Sequence, residues 1–245
     1  MSDVTTICIV VRRTTEWGNE AVVRVQLPER MQRPVELWNA TFGLPYHEFR
    51  LELTRIAQLN RSRIAGISCV PRDELPAGAI VVPTDDDDWF APGLASTLRA
   101  AVDGRYAGYY WPSRFIEVPI SPAHRLGLAR RAMFPRTPPK WLCTTNNYAV
   151  AINAAMAPLV DNHMRASDWF VAHPAAVRRL DACLSVMNRT LASQTSLANI
   201  GSQARLVAKF RRYRRIYRRP LPTQLAWCEP YVAMMRDLMD GLRVL

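Results

Sequence analysis

Pro76-Ala77-Gly78-Ala79-Ile80-Val81-Val82-Pro83-Thr84-Asp85-Asp86-Asp87-Asp88-Trp89-Phe90-Ala91-Pro92-Gly93-Leu94 is the most informative segment of this chain. The run Ala79 to Val82, opened by Pro76 and Gly78, is apolar and β-branched, the pattern of a buried strand. Four carboxylates follow it directly, then the bulky Trp89-Phe90 pair, then Pro92-Gly93-Leu94 opening a helix. A strand ending in acids puts anionic oxygens at the carboxyl edge of a sheet, where α/β proteins bind ligands. Adjacent like charges repel. A hard divalent cation relieves that repulsion and keeps positions open for phosphate oxygens. A solvated acidic loop is the competing reading of a charge run, and the flanks weigh against it.

Outward from this stretch, strand and helix patterns alternate, which predicts an α/β sheet. Thr5 to Val11 reads as a first strand, and Ala21 to Leu27 as a possible second within the ambiguous stretch Arg12 to Arg33. Phe49, Leu53, Ile56 and Ala57 have the spacing of an amphipathic helix over Leu44 to Leu59, and a helix is expected from Pro92 to Val102. Ala107 to Val118 is aromatic and β-branched, a strand or bent hairpin interrupted by Pro112. Ser121 to Lys140, rich in proline, reads as a long loop. A helix is expected from Ala151, another from Asp168 that continues through Pro174 to Asp181, and a last strand over Leu184 to Asn188. No G-x-G-x-x-G follows the first strand and no Walker lysine motif occurs, so dinucleotide and P-loop readings lose support.

An apolar strand, then Asp-x-Asp-Asp, then Trp and a proline-initiated helix resembles the nucleotide-binding core of GT-A glycosyltransferases. The inverting family-2-like and bacterial rhamnosyltransferase-like enzymes carry close relatives of it. The resemblance covers roughly residues 50 to 175. It implies a single GT-A-like α/β domain with a mixed, mostly parallel central sheet flanked by helices. It also implies a nucleotide-diphosphate sugar donor, a saccharide or glycolipid acceptor, and Mn²⁺ or Mg²⁺ as cofactor. By resemblance, Asp85 lies near the ribose or base, with Asp86 kept because four aspartates blur the register by one. Asp87 is the main metal ligand, supported by Asp88, and His163 is a further candidate ligand. Arg61 and Arg63 fall where related enzymes place a basic residue near the nucleotide. Arg165-Ala166-Ser167-Asp168-Trp169-Phe170 resembles the segment that supplies the general base, which makes Asp168 the candidate catalytic residue. The opening strand departs from the family by running into Arg12-Arg13-Thr14-Thr15.

Each of these residues also has a structural reading. Ser167 or Asp168 could cap a helix, Arg61 and Arg63 could be solvated on a helix face, and His163 could be an ordinary helix-edge histidine. Trp89, Trp111 and Trp141 could stack on sugar rings or pack a core. Asn146 and Asn147 could bind substrate hydroxyls or make a turn.

The 245 residues carry 32 Lys/Arg against 21 Asp/Glu, a net charge of +11. Eight of the basic residues lie between Arg205 and Arg219 with no acid among them, and without them the balance is 24 against 21. Basic character therefore belongs largely to one segment. There Leu206, Phe210, Tyr213, Ile216 and Tyr217 fall at helical spacing, so residues 201–245 read as a basic amphipathic appendage to a catalytic domain over 1–200. Its expected role is contact with an anionic membrane surface, ahead of a solvated helix packed on the domain through its apolar stripe, with nucleic acid third. Five widely spaced cysteines without a CxxC pair suggest reduced thiols, and no membrane span is expected, hence a cytoplasmic or peripheral protein.

The combined expectation is a metal-dependent, inverting glycosyltransferase in envelope polysaccharide or glycolipid synthesis. Two rivals stand beside it. One is a non-enzymatic basic nucleic-acid- or membrane-binding protein; the other is a metal-dependent nucleotidyltransferase.

Overall fold

The structure, a computed structural model, describes residues 5–12, 29–116 and 142–245. The Ala21 to Leu27 strand, the Ser121 to Lys140 loop and Trp141 lie outside the described residues. The fold is α/β, with a mixed six-stranded central sheet flanked by helices. No helix among the described residues is long and apolar enough to cross a membrane. The chain divides into two compact units that alternate along the sequence. The first comprises Met1–Arg12, Leu59–Arg114 and Arg136–Met187; the second comprises Arg13–Gln58, Phe115–Pro135 and Asn188–Leu245.

The first unit holds the sheet, built from β1 (Ile7–Val11), β2 (Ser68–Cys69), β3 (Ile80–Thr84), β5 (Gly108–Tyr110), β7 (Tyr148–Ala151) and β8 (Val177–Arg179). Their order is β2-β1-β3-β7-β5-β8. β2, β1 and β3 run parallel, β7 is antiparallel to both of its neighbours, and β5 and β8 are again parallel. β3 is buried along its whole length, as its uninterrupted apolar run requires. Pro83 sits in this central strand because pairing with β7 covers only Ile80 and Val81, so the missing N–H falls past that ladder. α3 (Leu94–Ala101) packs on β1 through Leu94, Ala95, Leu98 and Ala101. α4 (Ala157–Asp161) packs on β3 and leads into α5 (His163–Ala172).

Three local expectations are corrected. Ala107 to Val118 is not a paired hairpin: β5 joins the large sheet, whereas β6 (Ser113–Ile116) joins a small sheet with β4 (Trp89–Phe90) and β9 (Ser185–Asn188). The break falls at Pro112, which has no N–H to continue a ladder. The stretch after Ala151 is a turn, and its helix starts only at Ala157, next to Pro158 at the first turn. Val177 to Arg179 is a strand and not the continuation of a helix. Val177 and Leu180 mimic a helical i, i+3 pair, but a three-residue edge strand is too short to show its period.

The second unit is mainly helical among its described residues. α1 (Glu29–Asn39), the greater part of α2 (Tyr46–Ser62), α6 (Gln194–Leu197), α7 (Gln203–Ile216) and α8 (Glu229–Gly241) belong to it. Its core centres on Trp38, whose ring meets Phe42, Tyr46 and Phe49 at centroid distances of 4.8, 5.5 and 5.0 Å. Phe210 of α7 joins at 5.2 Å from Phe42. Two of its buried tyrosine hydroxyls find acceptors: Tyr46 Oη donates to Ala192 O at 2.6 Å and Tyr217 Oη to Asn188 Oδ1 at 2.8 Å. α1 was hidden in the sequence by its interior Pro34, which a propensity reading counts against a helix.

Gly108 gives a direct test of sheet packing. A Cβ there would lie 2.7 Å from two ring carbons of Phe170 on α5, closer than real packing allows. Gly108→Ala should therefore cost about 1–3 kcal/mol in urea unfolding. Gly201→Ala, where a Cβ meets nothing within 4 Å, should stay within about 0.5 kcal/mol.

Candidate functional site

The aspartates lie at a place chosen by topology. β1 and β3 are parallel neighbours, with Val11 opposite Thr84, and Arg12 N donates to Thr84 O at 2.7 Å. Among the described strands of this sheet, the one that follows β1 in sequence is β2, on the side away from β3, and the one that follows β3 is β5, on the other side. Neighbouring strands whose connections diverge leave a crevice beyond their carboxyl ends, and ligands of open α/β sheets bind there. Arg12 and Asp85 are the first residues past the two strand ends.

Their side chains meet. Arg12 Nη2 lies 3.3 Å from Asp85 Oδ1, and the same guanidinium donates to Thr145 O. Arg12 Nη1 is 3.4 Å from His163 Nδ1, at the first residue of α5. Arginine has no acceptor, so in this contact the guanidinium is the donor. Thr145 Oγ1 donates to Asp88 Oδ2 at 2.7 Å, which ties the last aspartate into the same group. One β1 cation thus joins Asp85, His163 and the loop before β7, and through Thr145 it reaches Asp88.

Asp85 is half-exposed, but Asp86, Asp87 and Asp88 are buried. Behind them Arg61, from the last turn of α2, is 4 % exposed. Burial pulls the Arg61 guanidinium below its ordinary range, while Cys69, Asp86, Asp88 and Asp87 pull it back toward the charged form. Burial likewise pushes the Cys69 thiol up, opposed by the nearby Arg61. Arg12 Nε and Arg61 Nη1 are both buried with no acceptor among the described residues. Asn60, beside Arg61, fixes the far end of the acidic run. Its Oδ1 accepts from Phe90 N at 2.7 Å and its Nδ2 donates to Phe90 O at 2.9 Å.

The remaining expected residues are dispersed. Arg63, two positions beyond Arg61, is exposed on the surface. Trp89 and Trp111 are fully buried, and Trp111 Nε1 donates to Ser185 Oγ at 2.9 Å. Asn146 and Asn147 are buried and engaged in the fold. Asn146 Nδ2 donates to Val186 O at 3.0 Å; Asn147 Nδ2 donates to Trp111 O and Leu142 O, each at 2.9 Å. These two amides shape the turn that presents Thr145. Asp168 is exposed in mid-α5, five residues and about 140° around the helix from His163. Neither Ser167 nor Asp168 caps that helix: Asn162 does, accepting from Met164 N and Arg165 N. Ser167 instead accepts from Cys143 N at 2.8 Å.

The structure therefore brings together Asp85, Asp86, Asp87, Asp88, Arg61 and His163, and adds Arg12, Thr145 and Asn60. Arg12 was legible in principle, since a basic residue directly after a first strand abuts the end of its parallel neighbour. Thr145 and Asn60 carry no motif. Among the described residues, no three His, Cys, Asp or Glu side chains converge as a ready-made metal group. No known family model matches this chain, and no curated protein matches it.

Removing Arg61 should leave buried carboxylates without their nearby cation. Arg61→Leu is expected to lose about 3–5 kcal/mol of stability at neutral pH, the cost of breaking a buried ion group on one side. The exposed control Arg63→Leu should change stability by no more than about 0.5 kcal/mol, measured by the same urea titration.

Proposed function

We propose that this chain is a glycosyltransferase that moves a sugar from a nucleoside-diphosphate donor to an acceptor hydroxyl with inversion. The observation that carries the reading is the meeting of Arg12 and the aspartate run at the diverging carboxyl ends of β1 and β3. Carboxylates and guanidiniums side by side suit a ligand that is itself mixed: phosphate oxygens for the arginines, and a cation or hydroxyls for the acids. Arg12 Nε and Arg61 Nη1 add donors in surplus.

The donor set fits Mg²⁺ or Mn²⁺, which bind through one or two carboxylates and take substrate phosphates for the rest. Asp87 would hold the ion, with Asp88 beside it, and the ion would supply charge neutralisation to the departing diphosphate. Asp88 is oriented for this by Thr145. Arg12 restrains Asp85 near the nucleotide and adds positive field where the leaving group gathers negative charge. Asp168 is the proposed proton acceptor by the resemblance alone: it is exposed, stands about 140° around α5 from His163, and is not one of the residues gathered at the aspartates.

Calorimetry with UDP, GDP or dTDP tests the donor side. Wild type should bind one of them only with Mn²⁺ present, and Asp87→Ala should lose that binding with its melting temperature preserved. Nucleotide binding with unchanged metal dependence in the variant would remove Asp87 from the site.

Asp168→Asn tests the proton acceptor. Asn162 already caps α5, so the substitution should leave stability within about 0.5 kcal/mol. Turnover should fall about 10²–10⁴-fold with donor affinity unchanged. Normal turnover would leave Asp168 as a surface residue.

A further inference from the structure

Charge is divided unequally between the two units. Among the described residues the first unit has ten Lys/Arg and ten Asp/Glu, and the second has fifteen against seven. The excess gathers on α7. Leu206, Phe210, Tyr213 and Ile216 on one side of this helix are buried in the second unit's core. Opposite them Arg205, Arg211, Arg212 and Arg215 are exposed, and no ion pair to them occurs among the described residues. Arg214 and Arg218 differ: both are held by Asp240, at 2.6 and 2.8 Å. The four unpaired guanidiniums lie within one 120° arc and extend about 15 Å along the axis.

This arrangement changes what the segment can do. Its apolar stripe is committed to the fold, so α7 has no greasy face to sink into a bilayer. Its attraction to a partner is electrostatic and confined to one ridge. Nucleic acid suits that ridge less well. Phe210, Tyr213 and Tyr217 are all buried, so no ring on α7 is presented for stacking on bases. A flat anionic surface asks only for a line of cations.

We infer that the Arg205–Arg212–Arg215 ridge of α7, with Arg211, is a docking surface for the anionic headgroups of a lipid bilayer, held without insertion. The inference does not rest on the transferase reading, and its test contains no nucleotide sugar.

The full chain is sedimented with vesicles of phosphatidylcholine alone or with one-third phosphatidylglycerol. Binding is expected to the anionic vesicles only, and raising salt to 1 M should abolish it because screening then acts within about 3 Å. A variant with Arg205, Arg211, Arg212 and Arg215 all replaced by Gln should bind at least about a hundredfold more weakly. The corresponding four-Lys variant, with the same charge, should retain binding, which separates charge loss from damage to the helix. Equal partition to neutral vesicles, or undiminished binding by the Gln variant, would overturn the inference. So would duplex DNA or RNA displacing the protein from anionic vesicles at equal charge concentration.

Discussion

Three carboxylates buried side by side at the end of a central strand are a severe electrostatic constraint. An unpaired buried carboxylate costs several kcal/mol, and neighbouring ones add repulsion. The first unit meets this with Arg61, from the end of α2, and pairs the half-exposed Asp85 next to them with Arg12, just past β1. Thr145 and Asn60 then fix the two ends of the run. Arg12 follows β1, Arg61 ends α2 and Thr145 lies in the turn before β7, so the surroundings of the aspartates depend on the sheet order, the exit of α2 and that turn. A fold that needed only a solvated acidic loop would have no use for Arg61 at 4 % exposure behind it.

The parts legible in the sequence were those with local periodicity. β1, β3, α2, α3, β9 and α7 were read from apolar spacing, and β3 with its aspartates indicated the carboxyl edge correctly. What failed was short or long-range. β8 has three residues, α1 carries an interior proline, and β5 and β6 part into separate sheets at Pro112. The site was half-legible for the same reason. Asp85 to Asp88 announce themselves by adjacency, whereas Arg12, Asn60 and Thr145 matter only through partners 73, 30 and 57 residues away. Trp111, Asn146 and Asn147 stood out by residue type, yet they spend their polar groups inside the fold.

The basic helix shows the limit of periodicity in another way. Its amphipathic pattern was visible, but a pattern does not say which surface the apolar stripe meets. The stripe faces the second unit's core, and Asp240 neutralises two of the arginines that the sequence counted as exposed charge. Physical consequences follow from what remains uncovered: four guanidiniums, no exposed ring, and no apolar face.

On the proposed reading, a nucleoside diphosphate and a divalent ion bind together beyond the carboxyl ends of β1 and β3. Anomalous diffraction from crystals grown with Mn²⁺ and the nucleotide that binds tests it most directly. A manganese peak is expected within coordination distance of Asp87 or Asp88, about 2.0–2.3 Å, with phosphate oxygens in its shell and Arg12 beside the nucleotide. A nucleotide seated elsewhere, or manganese bound away from residues 85–88, would contradict it.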